Sequence, residues 1–124
     1  MSAPYWLATA LYCAGLFWLS SDSTPIVPAA LFPYQDKVAH AVFYAGLAAV
    51  VSVGMRRSRQ PKPPAAQFWI PLLFACFYGV TDEIHQIFVP NRVFDLFDIA
   101  ADALGAAAVQ AVLCRYVWRR PRRE

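Results

Sequence analysis

Four long apolar runs, residues 3–20, 38–55, 68–89 and 95–118, leave this chain few ways to fold. The first two contain no Asp, Glu, Lys or Arg, and the third is 22 residues long. At about 1.5 Å of rise per residue that third run reaches about 33 Å, enough to cross roughly 30 Å of hydrocarbon. Of the 124 residues 59% are hydrophobic and only 15% are charged, against roughly 25% charged in ordinary soluble domains. The expectation is a single all-α domain over residues 1–124, a four-transmembrane-helix bundle and an integral membrane protein.

The joints between the runs refine that picture. Residues 3–20 lack a basic leading stretch, and Ser21-Asp22-Ser23-Thr24-Pro25 follows them in place of a small-x-small cleavage site, so the first helix is expected to be retained. Pro25, Pro28 and Pro33 forbid a continuous helix through residues 21–36. Ile26, Val27, Leu31 and Phe32 argue equally against a freely solvated loop, and an extended or re-entrant segment at the membrane surface is expected. Asp36 is placed to cap the second helix. Residues 56–66 form a basic, proline-rich linker. Pro71 is expected near the first turn of the third helix, where a missing N–H costs little, and Pro90-Asn91 breaks the chain after it. The fourth run is rich in small residues, among them Ala101, Gly105, Ala106 and Ala108. Small faces let backbones approach in lipid, so this helix is expected at the centre of the bundle.

The net charge of +3 conceals a segregation of signs. Nine of the eleven basic residues fall in two clusters: Arg56, Arg57, Arg59 and Lys62, then Arg115, Arg119, Arg120, Arg122 and Arg123 in and before the basic tail 119–124. Beside apolar runs these read as topology signals and anionic-lipid contacts rather than as a nucleic-acid surface. They place the 56–66 linker and both termini in the cytoplasm of a multi-pass protein of the bacterial inner membrane. Cys13, Cys76 and Cys114 lie far apart in apolar runs with no CxxC spacing, and are expected as small packing residues rather than disulfides or zinc ligands.

The chemistry is confined to what remains. Asp82, Glu83, Asp95, Asp98 and Asp102 lie within residues 78–105 together with His85, while Asp36 and the other histidine, His40, share a second short segment. Asp95, Asp98 and Asp102 are spaced 3 and 4, one stripe of a helix. Asp95 reads equally well as a helix N-cap, but Asp102 lies too far in for that role. Asp82 and Glu83 sit toward the C-terminal end of the third helix, where the helix dipole disfavours negative charge. Tyr78, Asp82, His85 and Gln86 share a face, as do Asp36, His40 and Tyr44. Six acids against Lys37 and Arg92 leave four excess negative charges near lipid. Shared protons, a metal or a cationic ligand must relieve them.

Three uses fit these residue types. Asp36, His40, Asp82, Glu83, Asp98 and Asp102 are candidate ligands of a divalent metal, although no HExxH spacing is present. Alternatively Glu83, His40, Asp82 and Asp98 form an acid/base set, with Lys37, Arg92, Gln86, Tyr44, Tyr78 and His85 holding an anionic headgroup. In the third, the network only locks three helices together in a non-enzymatic accessory or scaffold protein. A proton or ion pathway ranks below these, because the helices turn apolar past Tyr44, Tyr78 and Asp102. No GxSxG elbow and no glycine-rich phosphate loop occurs. The expected partners are membrane lipids or a lipid-linked envelope precursor, with no nucleic acid. No residue pattern fixes a cofactor or an oligomeric state.

Three ordered motifs carry a resemblance: Asp36-Lys37-x-x-His40-x-x-x-Tyr44; Tyr78-Gly79-x-x-Asp82-Glu83-x-His85-Gln86-x-Phe88-x-Pro90-x-Arg92; and Asp98-x-x-x-Asp102-x-x-Gly105. In these the chain resembles the VanZ family of small bacterial membrane proteins. The resemblance covers about half the chain. It departs at Asn91, where glycine is common, and at Asp102, where many members carry asparagine. It implies a cell-envelope protein linked with low-level resistance to lipoglycopeptide-type antibiotics such as teicoplanin, and it supplies no reaction.

Overall fold

A computed structural model describes residues 1–24, 31–58, 60 and 62–118. All its regular structure is helical: α1 (Ala3–Ser21), α2 (Gln35–Arg56), α3 (Pro64–Gln86) and α4 (Leu96–Val112), the last continuing into a π-helical turn, Leu113–Val117. Much of the proline-rich segment after α1, Arg59 in the linker and the basic tail 119–124 lie outside the described residues. The all-helical expectation holds. By length and hydropathy three elements can cross a membrane, Gln35–Arg56, Pro64–Gln86 and Leu96–Val117. The fourth, α1, is long enough but is not among them. It carries Tyr5, Trp6, Tyr12, Trp18 and two terminal serines among its aliphatic residues.

Helix boundaries differ from the sequence reading for local reasons. The third helix begins at Pro64 rather than at residue 68, because a proline in the first turn lacks only an N–H that no helical carbonyl would receive. Pro71 is therefore an interior, buried proline, not one near the helix start as expected. The same helix ends at Gln86 rather than at residue 89. Ile87, Phe88 and Val89 then donate to the carbonyls three residues back, winding the chain more tightly toward Pro90. The second helix begins at Gln35, after Tyr34 in the left-handed region (φ 61°). Asp36 lies in the first turn but does not cap it through its side chain, and it pairs instead with Lys37.

The helices alternate in direction, so their ends sort by charge. Arg57 Nη1 donates to Tyr5 Oη at 3.4 Å, which brings the start of α1 to the end of α2. There Arg56 donates to Gln67 Oε1 on α3 at 2.8 Å and to the Trp118 carbonyl at 3.0 Å, with its guanidinium 4.9 Å from the Trp118 ring. The opposite end collects the acids and histidines. Large apolar side chains face outward along the bundle, among them Trp18 (76% exposed), Phe77 (71%) and Leu104 (71%). In water such a surface would drive association, whereas in a bilayer it faces hydrocarbon.

Small residues bring α4 close, as expected, yet α2 rather than α4 is the helix that packs extensively on all three others. Tyr44, Leu47, Ala48, Val51 and Met55 recur along its buried face at helical spacing. At Gly105 the approach is backbone to backbone: a Cβ there would collide with the Ala41 carbonyl group. Deeper in, Ser52 Oγ donates to Gln110 Oε1 and Gln110 Nε2 to the Ala48 carbonyl, both at 3.2 Å. Gly105→Ala is expected to push α2 and α4 apart and cost about 1–3 kcal/mol. Gly15→Ala, on an open face of α1, is expected to be neutral or slightly stabilising. Thermal unfolding of the two variants in detergent, side by side, checks this, and equal melting temperatures would refute the close approach.

Candidate functional site

The acidic end is built around the start of α4. Asp95 caps that helix, its Oδ1 accepting from the Phe97 N–H at 2.8 Å, and its Oδ2 pairs with Lys37. One turn in, Asp98 Oδ1 lies 2.6 Å from the same ammonium, which also contacts Asp36 Oδ2 at 2.9 Å. Lys37 therefore serves three carboxylates. Because α2 and α4 run parallel, the next turn of α2 meets the next turn of α4, and His40 Nδ1 lies 2.9 Å from Asp102 Oδ1. An ionised carboxylate can only accept, so Asp102 assigns the proton to Nδ1. Nε2 faces Asp98 Oδ2 at 3.7 Å and carries the lone pair whenever the imidazole is neutral. Asp102 is fully buried, and Gly79 makes room for it: a Cβ there would meet Asp102 Oδ2.

The third helix completes the group. Glu83 has no exposed surface, and its Oε2 accepts from the Asp95 N–H at 2.9 Å, closing the N-terminus of α4 from a neighbouring helix. Among the described residues, Glu83 Oε1 is buried without a hydrogen-bond partner. Ligand-capable atoms of His40, Glu83 and Asp98 all lie within 4.8 Å of one another. Three helices thus converge on one point.

A cavity of about 270 Å³ opens on the α1 side of this group. Leu16, Leu19 and Phe43 give it an apolar wall, and Asp36, His40, Tyr44, Asp82, Gln86 and Arg92 a polar one. Ser20 and Gln35 line it as well. Neither stood out in the sequence, since no spacing rule links the end of α1 to acids far along the chain. Arg92 donates from Nε and Nη2 to the Asp22 carbonyl at 3.1 and 3.0 Å, fixing its guanidinium at the rim. The Asp22 carboxyl itself, bonded to the Thr24 hydroxyl and N–H, is held below the ordinary carboxylate range.

The face shared by Tyr78, Asp82, His85 and Gln86 fans out over two surroundings. At about 100° per residue, Tyr78 and His85 lie on one stripe, Asp82 and Gln86 some 40–80° further round, and Glu83 about 60° beyond Gln86. The first stripe meets α1: Tyr78 donates to the Cys13 carbonyl at 2.6 Å, and His85 Nε2 lies 2.9 Å from Ser21 Oγ with its ring 4.4 Å from that of Phe17. The second faces the cavity and Glu83 faces α4. His85 and Tyr78 therefore secure α1 rather than join the His40–Glu83–Asp98 group.

The VanZ/LLP1 family model matches residues 7–118, a range that takes in every residue of this site. The chain belongs to the VanZ/LLP1 family. No curated protein and no solved structure matches it. Family membership and three helices able to cross a bilayer make it a VanZ-like membrane protein. Asn91 has φ 63°, the left-handed region that glycine enters freely and asparagine tolerates.

Lys37 chiefly, with the Phe97 N–H second, holds the Asp95 carboxyl below its ordinary value. A depressed folded pKa gives stability that is present above the unfolded value of about 3.9 and is lost as pH falls through the folded one. Asparagine caps comparably but does not titrate. Asp95→Asn is therefore expected to melt slightly lower than the parent near neutrality and to lose less on acidification. Melting curves in detergent at neutral and acid pH test this, and identical acid sensitivity would count against the Lys37 pairing.

Proposed function

We propose that this protein binds a lipid or lipid-linked headgroup at the outer face of the bacterial cytoplasmic membrane and that the acid/histidine group acts on it there. The single observation that carries this reading is the two-sided cavity, with Leu16, Leu19 and Phe43 facing His40, Asp82, Gln86 and Arg92. Such a cleft suits an amphiphile: methylenes against the α1 side, a polar or anionic head against the α2 and α3 side. About 270 Å³ lies at or just below the small end of ligand pockets, room for a headgroup and its first methylenes with the remaining chain in the bilayer. Arg92 keeps donors free beyond the two spent on Asp22, and a guanidinium is well shaped for phosphate.

Orientation supports the outer face. Arg56, Arg57 and Lys62 lie at the end opposite the cavity, which the positive-inside rule puts in the cytoplasm together with both termini. In this setting the link of the VanZ family with teicoplanin resistance would come from altering or masking an envelope lipid. A second reading has an observation of its own. Lys37, Glu83–Asp95 and His40–Asp102 join α2, α3 and α4, as a purely structural network in an accessory protein would.

Leu19→Trp, which fills the apolar side, and Arg92→Gln, which removes the rim charge, separate these readings. Added phosphorylated lipid is expected to raise the melting temperature of the detergent-solubilised parent by several degrees and to raise neither variant comparably. Equal shifts in all three proteins, or none in any, would reject the lipid site and favour the structural network.

A further inference from the structure

We infer that His40, Glu83 and Asp98 form a binding site for one divalent transition-metal ion, with Asp102 orienting the histidine. The donor set is mixed, one imidazole nitrogen and two carboxylates, drawn from three helices, with the ligand atoms within 4.8 Å of one another. Two ligands bound at about 2.1 Å stand roughly 3 to 4 Å apart, so the widest pair needs to close by about 1 to 2 Å at most. His40 Nε2 and Asp98 Oδ2, at 3.7 Å, already have that separation.

Two observations distinguish this from a cluster of acids. Glu83 is fully buried and its Oε1 has no hydrogen-bond partner among the described residues, while its Oε2 is already engaged by the Asp95 N–H. A buried carboxylate oxygen without a donor is costly, and a cation beside it removes that cost. The second is the Asp102–His40 contact at 2.9 Å on Nδ1, the outer-shell carboxylate that metal-bound histidines commonly have. In the neutral imidazole it leaves Nε2, on the side of Asp98 Oδ2, as the nitrogen that would bind the ion. Lys37 contacts Asp36, Asp95 and one oxygen of Asp98, and its contacts do not include Glu83.

The imidazole selects for Zn²⁺ or a neighbouring first-row ion over Mg²⁺ and Ca²⁺, which take oxygen shells. Three protein ligands leave at least one coordination position open, and His40 borders the cavity. That position suits an anionic oxygen of whatever the cavity holds. The inference does not depend on the lipid reading, because metal loading is measured with no lipid ligand added, and either can fail alone.

The test uses the full chain in detergent, stripped with chelator, loaded with Zn²⁺ and desalted before metal analysis. About one Zn²⁺ per chain is expected in the parent and in Asp22→Asn, with at least a tenfold loss of affinity in Glu83→Gln and in Asp98→Asn. Excess Ca²⁺ should not displace it. No retained Zn²⁺, displacement by Ca²⁺, or full retention in both site variants would overturn the assignment. Should those variants fail to fold, X-ray absorption at the zinc edge of the parent decides. A nitrogen/oxygen shell containing one imidazole is expected, and a sulfur shell, from Cys13, Cys76 or Cys114, would overturn the site.

Discussion

The close passage of α2 against α4 is the contact on which the remaining geometry depends. With no Cβ at Gly105, the Ala41 carbonyl lies against bare backbone, and the two helices run parallel from that point in fixed register. Contacts then step down both chains together: Lys37 with Asp98, His40 with Asp102, Ala41 with Gly105, Ala48 and Ser52 with Gln110, and Arg56 with Trp118. A slip of one residue on either helix would turn a side chain by about 100° and separate every one of these pairs. In lipid, hydrophobicity does not hold helices together, so the register rests on backbone fit and a few polar contacts. The acidic site is thus a consequence of a packing decision made one turn below it.

Much of this was legible in the sequence, and physical reasons divide what was from what was not. The stripe of Asp95, Asp98 and Asp102 follows from spacing alone, and the capping reading of Asp95 proved correct at 2.8 Å from Phe97. Spacing on one helix cannot say which neighbour a stripe meets. The sequence could therefore group Tyr78, His85 and Lys37 with the site but not show that the first two meet α1 or that the third reaches three carboxylates of its own chain. Pro71 was misplaced because helix starts are read from prolines, and Pro64, tolerated in the first turn, gave no sign that the helix had already begun.

The two ends of the bundle solve the same electrostatic problem in different ways. At the basic end Arg56 spends its donors on neutral acceptors, Gln67 Oε1 and the Trp118 carbonyl, and stacks on an aromatic ring, so among the described residues no carboxylate pairs with it and its charge is open to anionic headgroups. At the acidic end charges are paired with one another, yet Lys37 alone cannot match carboxylates drawn from three helices. The imbalance falls on Glu83, whose burial follows from its position: about 100° round from Asp82, it points at α4 rather than into the cavity.

The group is built by α2, α3 and α4, and α1 closes its remaining side. There α1 is held by hydrogen bonds, Tyr12 to Phe43, Tyr78 to Cys13, His85 with Ser21, Arg92 to Asp22 and Arg57 to Tyr5, and by close packing on α2 at Gly46 and Gly54. Gly15, midway along, has open space around it, and much of the rest of the helix is exposed. α4, by contrast, is held by backbone packing at Gly105 and by buried carboxylates. The motif residues divide accordingly. Lys37, His40, Glu83, Asp98 and Asp102 build the floor of the site from α2, α3 and α4, and Tyr78, His85 and Arg92 hold α1 against it. The cavity lies between them.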